Sequence, residues 1–242
     1  QGKVYAGFLH EQNDERVVLK AVDGTTVQIP RKQIVEMAKQ EKSLMPELVL
    51  KDVTPQDAAD LLAYLVSLQE TKVPATSFKV LGPFPNEKPE HRAHDFGPEK
   101  SAGVINLAAR YEGKGGQQVG WQMSSAVAGS TGVPEIDVAK LGAERKTGTD
   151  NVIYYLACTL DSATDQAATL AIGSDDGIQV WINGQKVHDH RVTRPLKAAE
   201  DLVVAQLKAG KNLLLLKLDQ GNGAGGMTLS VESRANVTLG VP

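Results

Sequence analysis

Residues 169–187, TLAIGSDDGIQVWINGQKV, alternate apolar and polar side chains on either side of two turns. A period of two sends successive side chains to opposite faces of a strand, so this stretch commits the chain to antiparallel sheet. The Asn183-Gly184 pair takes the positive φ values that a tight primed turn demands, and Gln179–Trp181 is therefore predicted to pair with Lys186–Val187. The same rhythm marks Phe78–Leu81, Val104–Ala108, Val119–Met123, Val152–Thr159, Thr169–Ile172, Ile178–Ile182, Leu202–Leu207, Asn212–Leu218 and Met227–Val231 as strands. With no long helical pattern between them, they predict a two-sheet β-sandwich from residue 77 onward.

The first seventy residues read differently. Lys3–His10, Arg16–Ala21 and Thr25–Pro30 are expected as a small meander, with Asp23-Gly24 turning between the last two. A helix is expected to start at Thr54-Pro55-Gln56-Asp57, where Thr54 can cap, Pro55 has no N–H to lose and Asp57 meets the positive end of the dipole. Its stripe of Ala58, Leu61, Leu62, Leu65 and Leu68 runs to about residue 68 and calls for a covering neighbour. Glu70–Thr76 has the polar and proline content of a linker, which divides the chain into domains 1–70 and 77–242. The first residue is Gln1, so the sequence reads as a piece of a longer protein.

Composition narrows the function. Of 242 residues, 41% are hydrophobic and 23% charged, ordinary for a globular protein, and a formal charge of -3 gives no attraction for phosphate backbones. Nucleic acid is not an expected partner. No apolar run could span a bilayer, so no membrane insertion is expected. One cysteine, Cys158, excludes an internal disulfide and a cysteine-cluster metal site, and its place in an apolar strand reads as an inert buried thiol. Gly173-Ser174-Asp175-Asp176-Gly177 lacks the spacing of a nucleophile elbow, and Gly221–Gly226 has no Lys-Ser/Thr to make a phosphate loop.

Two resemblances add to this. Ser43-Leu44-Met45-Pro46-Glu47, Val53-Thr54-Pro55-Gln56-Asp57 and Ala59-Asp60-Leu61-Leu62-Ala63-Tyr64-Leu65 resemble the closing section of c-type cytochromes, most closely a planctomycete-type putative haem-binding domain, over residues 2–69. The resemblance implies that Met45 would ligate haem iron. The Cys-x-x-Cys-His attachment motif is missing, so haem c is expected only in a longer parent carrying that motif upstream. From residue 77 to 233, Leu81-Gly82-Pro83-Phe84-Pro85-Asn86, Asp95-Phe96-Gly97-Pro98-Glu99, Gly120-Trp121, the SDDGIQVWINGQKV block and Leu207–Asn212 resemble a jelly-roll, galactose-binding-like sugar module. The Ser-Asp-Asp-Gly pattern is also similar to protective-antigen-type lectin modules, which implies calcium held by an Asp-Asp pair and gripping sugar hydroxyls. Together they imply a non-catalytic module of an exported, periplasmic or extracellular redox protein, with polysaccharide and the parent's other domains as partners.

The candidate site residues are Asp175, Asp176, Trp181, Trp121, His188 and Asn222. Carboxylates beside glycines suit a hard cation such as Ca²⁺, with Asn222 or Asp219 as further donors; the competing reading is a turn, in which Gly177 takes positive φ. Trp181 and Trp121 would each offer a flat face to a sugar ring, although a tryptophan in an alternating strand fills a core equally well. His188 and His190 share one strand face and could hold zinc at an edge, but two ligands fall short of the three or four that zinc sites use. The other function classes are a purely structural or protein-interaction module and the distal-ligand half of an electron-transfer cytochrome.

Overall fold

The computed structural model describes residues 3–12, 15–21, 23–39, 53–67, 71–101 and 103–242. Contacts divide the chain into two units, residues 1–62 and 63–242. In the first, β1 (Phe8–Gln12), β2 (Arg16–Lys20) and β3 (Thr26–Pro30) form an antiparallel meander that buries Val17 and Val18. Its turn is built as expected: an Asp23 carboxylate oxygen accepts from the Thr25 amide at 2.9 Å and its hydroxyl at 2.7 Å. Helix α1 (Pro55–Ser67) begins where Thr54 accepts from the Asp57 amide at 3.1 Å and donates back to its carboxylate at 2.6 Å. Leu61, Leu62 and Leu65 on its stripe are exposed. Met45 lies outside the described residues, as does Leu68.

In the second unit the strands are β4 (Thr71–Pro74), β5 (Ser77–Pro85), β6 (Arg110–Glu112), β7 (Gln118–Gly120), β8 (Gln122–Ser125), β9 (Val127–Ala128), β10 (Pro134–Asp137), β11 (Val152–Ser162), β12 (Gln166–Ser174), β13 (Ile178–Ile182), β14 (Gln185–His190), β15 (Asp201–Leu207), β16 (Gly210–Gln220), β17 (Gly226–Ser233) and β18 (Val237–Gly240), with one helix, α2 (Val138–Arg145). One sheet runs β15-β12-β17-β10-β9, with β4 also on β17; the other runs β14-β13-β16-β11-β5-β8, with β18 also on β11. From β11 to β13, and again from β15 to β18, the chain crosses between sheets at every strand, in the manner of a jelly roll. The chain is mainly β, and this unit is an antiparallel sandwich.

Leu156 and Leu160 on β11, Leu216 on β16, Leu170 on β12 and Leu229 on β17 meet in the core between the sheets. The β14-edged sheet is buried on its other face too. There Ile153, Tyr155, Leu215 and Trp181 pack with Leu81, Phe84, Val119 and Trp121, roofed by Phe96, Ile105, Leu107 and Tyr111 from the excursion between β5 and β8. Both faces of β11 are therefore apolar, which explains its unbroken hydrophobic sequence.

Several expectations need correcting: the strand expected over Lys3–His10 is Phe8–Gln12, and the one expected over Val119–Met123 is broken at Trp121 into β7 and β8, which lie in different sheets. Glu70–Thr76, read as a linker, includes strand β4, whose Thr71–Pro74 pair with Ser233–Ser230. Residues 104–108 form turns and no strand: Ile105 and Leu107 serve the roof and not a ladder, and Val104 is exposed. Helix α2 was not expected; Asp137 caps it, accepting from the Ala139 amide at 2.7 Å and the Lys140 amide at 3.2 Å.

Candidate functional site

Asp175, Asp176 and His188 gather with Asp201, Arg194 and Asp219 along one end and edge of the sandwich, where β12, β13, β14, β15 and β16 start or stop. Asp176 is buried, and its carboxylate is taken: one oxygen accepts from the Arg194 amide at 3.1 Å, the other from the Gly221 amide at 2.7 Å. It thus clamps two loops to the β12–β13 turn. Gly177 is glycine for a different reason from the one expected: it has no positive φ, and a side chain there would run into the Asp219 carboxylate and the His190 carbonyl. Asp175 is half-buried, and burial pushes its carboxyl up, with the Asp176 charge adding to the shift. Asn222 is exposed and its side-chain oxygen accepts from Asn151 at 3.1 Å. A calcium cage built on the Asp pair would have to displace the backbone donors that hold Asp176.

The histidines do find a third group, one that sequence spacing could not supply. Asp201, at the start of β15, places a carboxylate oxygen 2.9 Å from His190 Nδ1 and 3.5 Å from His188 Nε2, and the three ligating atoms lie within 4.8 Å of one another. The set has the composition of a metal site. Its positive charge, however, is already present. Arg194 pairs with the other Asp201 oxygen, donates to Ser174 Oγ at 2.7 Å, and sets a guanidinium nitrogen 3.3 Å from His190 Nδ1. Burial raises the Asp201 carboxyl, but hydrogen bonds from Arg194 and His190 outweigh it and hold the group below its ordinary value. This cluster joins β14 to β15, the edges of the two sheets, and is charge-complete.

Trp181 and Trp121 are 4% and 8% exposed, so neither offers a platform to a sugar. Both face the roofed core: Trp181 points from β13 to the side that the 86–121 excursion covers, and Trp121, between β7 and β8, closes that excursion over it. Beneath that roof Lys217, 1% exposed, donates to the His94 carbonyl at 2.6 Å and to Glu99 at 2.7 Å, and Tyr155 donates to the same Glu99 oxygen at 2.8 Å. Burial pulls the Lys217 ammonium down. The network pins the roof to the sheet. Cys158 is wholly buried, and burial pushes its thiol up to about 12, so no thiolate is available at neutral pH.

A second polar region lies elsewhere in the same unit. A groove of about 200 Å³ is lined by Gly82 and Pro83 of β5, Gln117 to Gly120, Gln122 and the residues closing α2, Glu144 to Thr147. Gln117, Gln118, Gln122, Glu144 and Lys146 are exposed, whereas the Arg145 side chain is only 5% exposed. Primary amides donate and accept at once, so three glutamines can meet hydroxyls in either sense. The glutamines and the residues closing α2 carried no motif. The usable signal was local: Asp137 ahead of Val138, Leu141 and Gly142 is a capped short helix, which ends on the basic Arg145 and Lys146.

The chain is similar to known proteins over part of its length. The family model of the alpha-L-rhamnosidase D2 domain matches residues 141–242. No curated protein matches significantly. Among solved structures, an anti-sigma factor domain-containing protein is 12% identical with a TM-score of 0.41, covering 68% of this chain and 45% of that one. The PA14 sugar-binding domain from an RTX adhesin is 16% identical with a TM-score of 0.32, covering 38% and 52%. The epithelial adhesin 9 A domain of Candida glabrata, in complex with Galb1-4GlcNAc, is 10% identical with a TM-score of 0.37, covering 70% and 90%. The chain thus spans about half the length of the first two, and likenesses this distant carry no argument about function. None of these matches is a cytochrome.

Proposed function

We propose that the sandwich is a non-catalytic carbohydrate-binding or docking module of a larger exported protein, acting outside the cytoplasm. The observation that carries this reading is the amide-lined groove: open, polar, and fixed on strand ends and a helix end that do not need to move. Sugars present paired donors and acceptors on a small apolar body, and planar amides with a buried base are suited to orienting them. The family match to one domain of a rhamnoside-cleaving enzyme supports the same class of ligand. Among the described residues no nucleophile–base couple accompanies the groove. The redox identity of the parent rests on the resemblance of residues 2–69 alone.

The test is a glycan array followed by calorimetry on the whole chain. Binding of at least one oligosaccharide is expected, weakened several-fold by Gln118→Ala or Gln122→Ala, the loss of about one neutral hydrogen bond each. Flat signals for every polysaccharide would leave the docking reading. That second reading has its own observation: Leu202 and Val204 stand 66% and 63% exposed on β15, an edge strand, as a partner-facing strip would.

A further inference from the structure

We propose that the groove binds acidic saccharides, and that Arg145 takes the carboxylate of a uronate residue. This deepens the carbohydrate reading and rests on it. Arg145 closes α2, and one guanidinium nitrogen, Nη1, is spent on the helix itself: it lies 3.4 Å from the Leu141 carbonyl and 3.4 Å from Glu144. The other two, Nε and Nη2, are shielded from water and have no hydrogen-bond partner among the described residues. Those two atoms form the side-on fork of a guanidinium, whose parallel N–H bonds match the two oxygens of a carboxylate.

A buried cation with most of its donors unmet is costly, and proteins keep such groups when something else completes them. Nothing nearby does so. Glu144 meets only Nη1, through an oxygen it shares with the Ser124 hydroxyl, which donates to it at 2.9 Å; its other oxygen lies 3.9 Å from Lys140. The underlying Tyr154 ring, 5.8 Å from the guanidinium carbon, offers only its face. Its hydroxyl and that of Thr147 are likewise shielded from water and stand beside each other. Burial pulls the Arg145 pKa down without neutralising it, since a guanidinium stays charged in proteins. Low dielectric then strengthens its attraction for an anion. The exposed side chains of Gln117, Gln118 and Gln122 can change rotamer to admit the ring.

Calorimetry of the whole chain with oligogalacturonate, and with the same oligomer after methyl esterification, tests this. The free acid is expected to bind about tenfold tighter or more, the ratio a charge-assisted hydrogen-bond pair provides. Arg145→Lys, which keeps the charge and loses the fork, is expected to remove most of that ratio by weakening the free acid more than the ester. The Nε resonance of Arg145 in the intact protein should move with the acid and stay still with the ester, a readout that needs no variant to fold. Equal binding of acid and ester, or an acid preference that survives Arg145→Lys with an unmoved resonance, overturns the proposal and leaves the carbohydrate reading standing. Silence from acid, ester and every neutral glycan overturns both.

Discussion

The His–Asp–Arg cluster at the sheet edges and the groove beside α2 hold the same kinds of side chain and differ in their balance. In the cluster, Arg194 meets Asp201, Glu200 and Ser174, so its guanidinium donors aim at acceptors within the fold. In the groove, Arg145 keeps two shielded donors idle. A completed network gives its energy to the folded state and has little left for a visitor, whereas an incomplete one lowers stability and gains on binding. Polar density alone therefore misleads: the richer cluster is the better candidate for architecture, and the sparser groove for recognition.

Four measurements would break or sharpen that contrast. Asp201→Ala strands Arg194 in a buried position and should cost about 3–5 kcal/mol in denaturant unfolding while sugar binding survives; a loss of binding with no loss of stability would reverse the assignment. Trp181→Ala should cost about 3–5 kcal/mol, again with sugar affinity intact, because it opens a cavity under the roof and removes no platform. The third is a pH effect. Burial, aided by the Asp176 charge and opposed by Arg92, raises the Asp219 carboxyl to about 6. The folded chain thus holds this proton more tightly than the unfolded one, whose aspartates titrate near pH 4. Its contribution to stability is complete below that value and is lost as pH rises to about 6, a fall on the order of 3 kcal/mol. Asp219→Asn should flatten it; an unchanged profile would place the titration elsewhere. The smallest effect belongs to Arg145→Met, which removes a charge the fold does not complete: unfolding should shift by no more than about 1 kcal/mol in either direction. A cost as large as that of Asp201→Ala would show Arg145 to be architecture as well.

Much of the sandwich was legible because its strands repeat a two-residue period. Ile178–Ile182 was read to the residue, and the Asn183-Gly184 turn joins it to β14 with Trp181 opposite Lys186. Residues 104–108 misled for the opposite reason: apolar side chains recruited to a roof look like those of a strand when only sequence neighbours are seen. The sites were less legible. Asp175-Asp176 was visible as a pair, yet the partners that occupy Asp176 come from residues 194 and 221, brought near only by sheet topology. His188 and His190 were one residue short of a three-ligand set, and Asp201 lies across the gap between the two sheets. Trp181 and Trp121 were ambiguous because the outer face of a sheet is wet in most sandwiches and covered in this one. Arg145 gave no signal at all, since an arginine at a helix end is ordinary until its unused donors are counted.

The contrast between β11 and β15 has a practical outcome. Every position from Val152 to Cys158 is buried, whereas β15 alternates strictly from Asp201 to Leu207. A saturation library over the first would return a solid block of intolerance, and over the second a comb with teeth at every other codon. The open positions of that comb, Leu202, Val204 and Gln206, are where a label, a tether or a new surface chemistry could be written into the molecule without disturbing its interior.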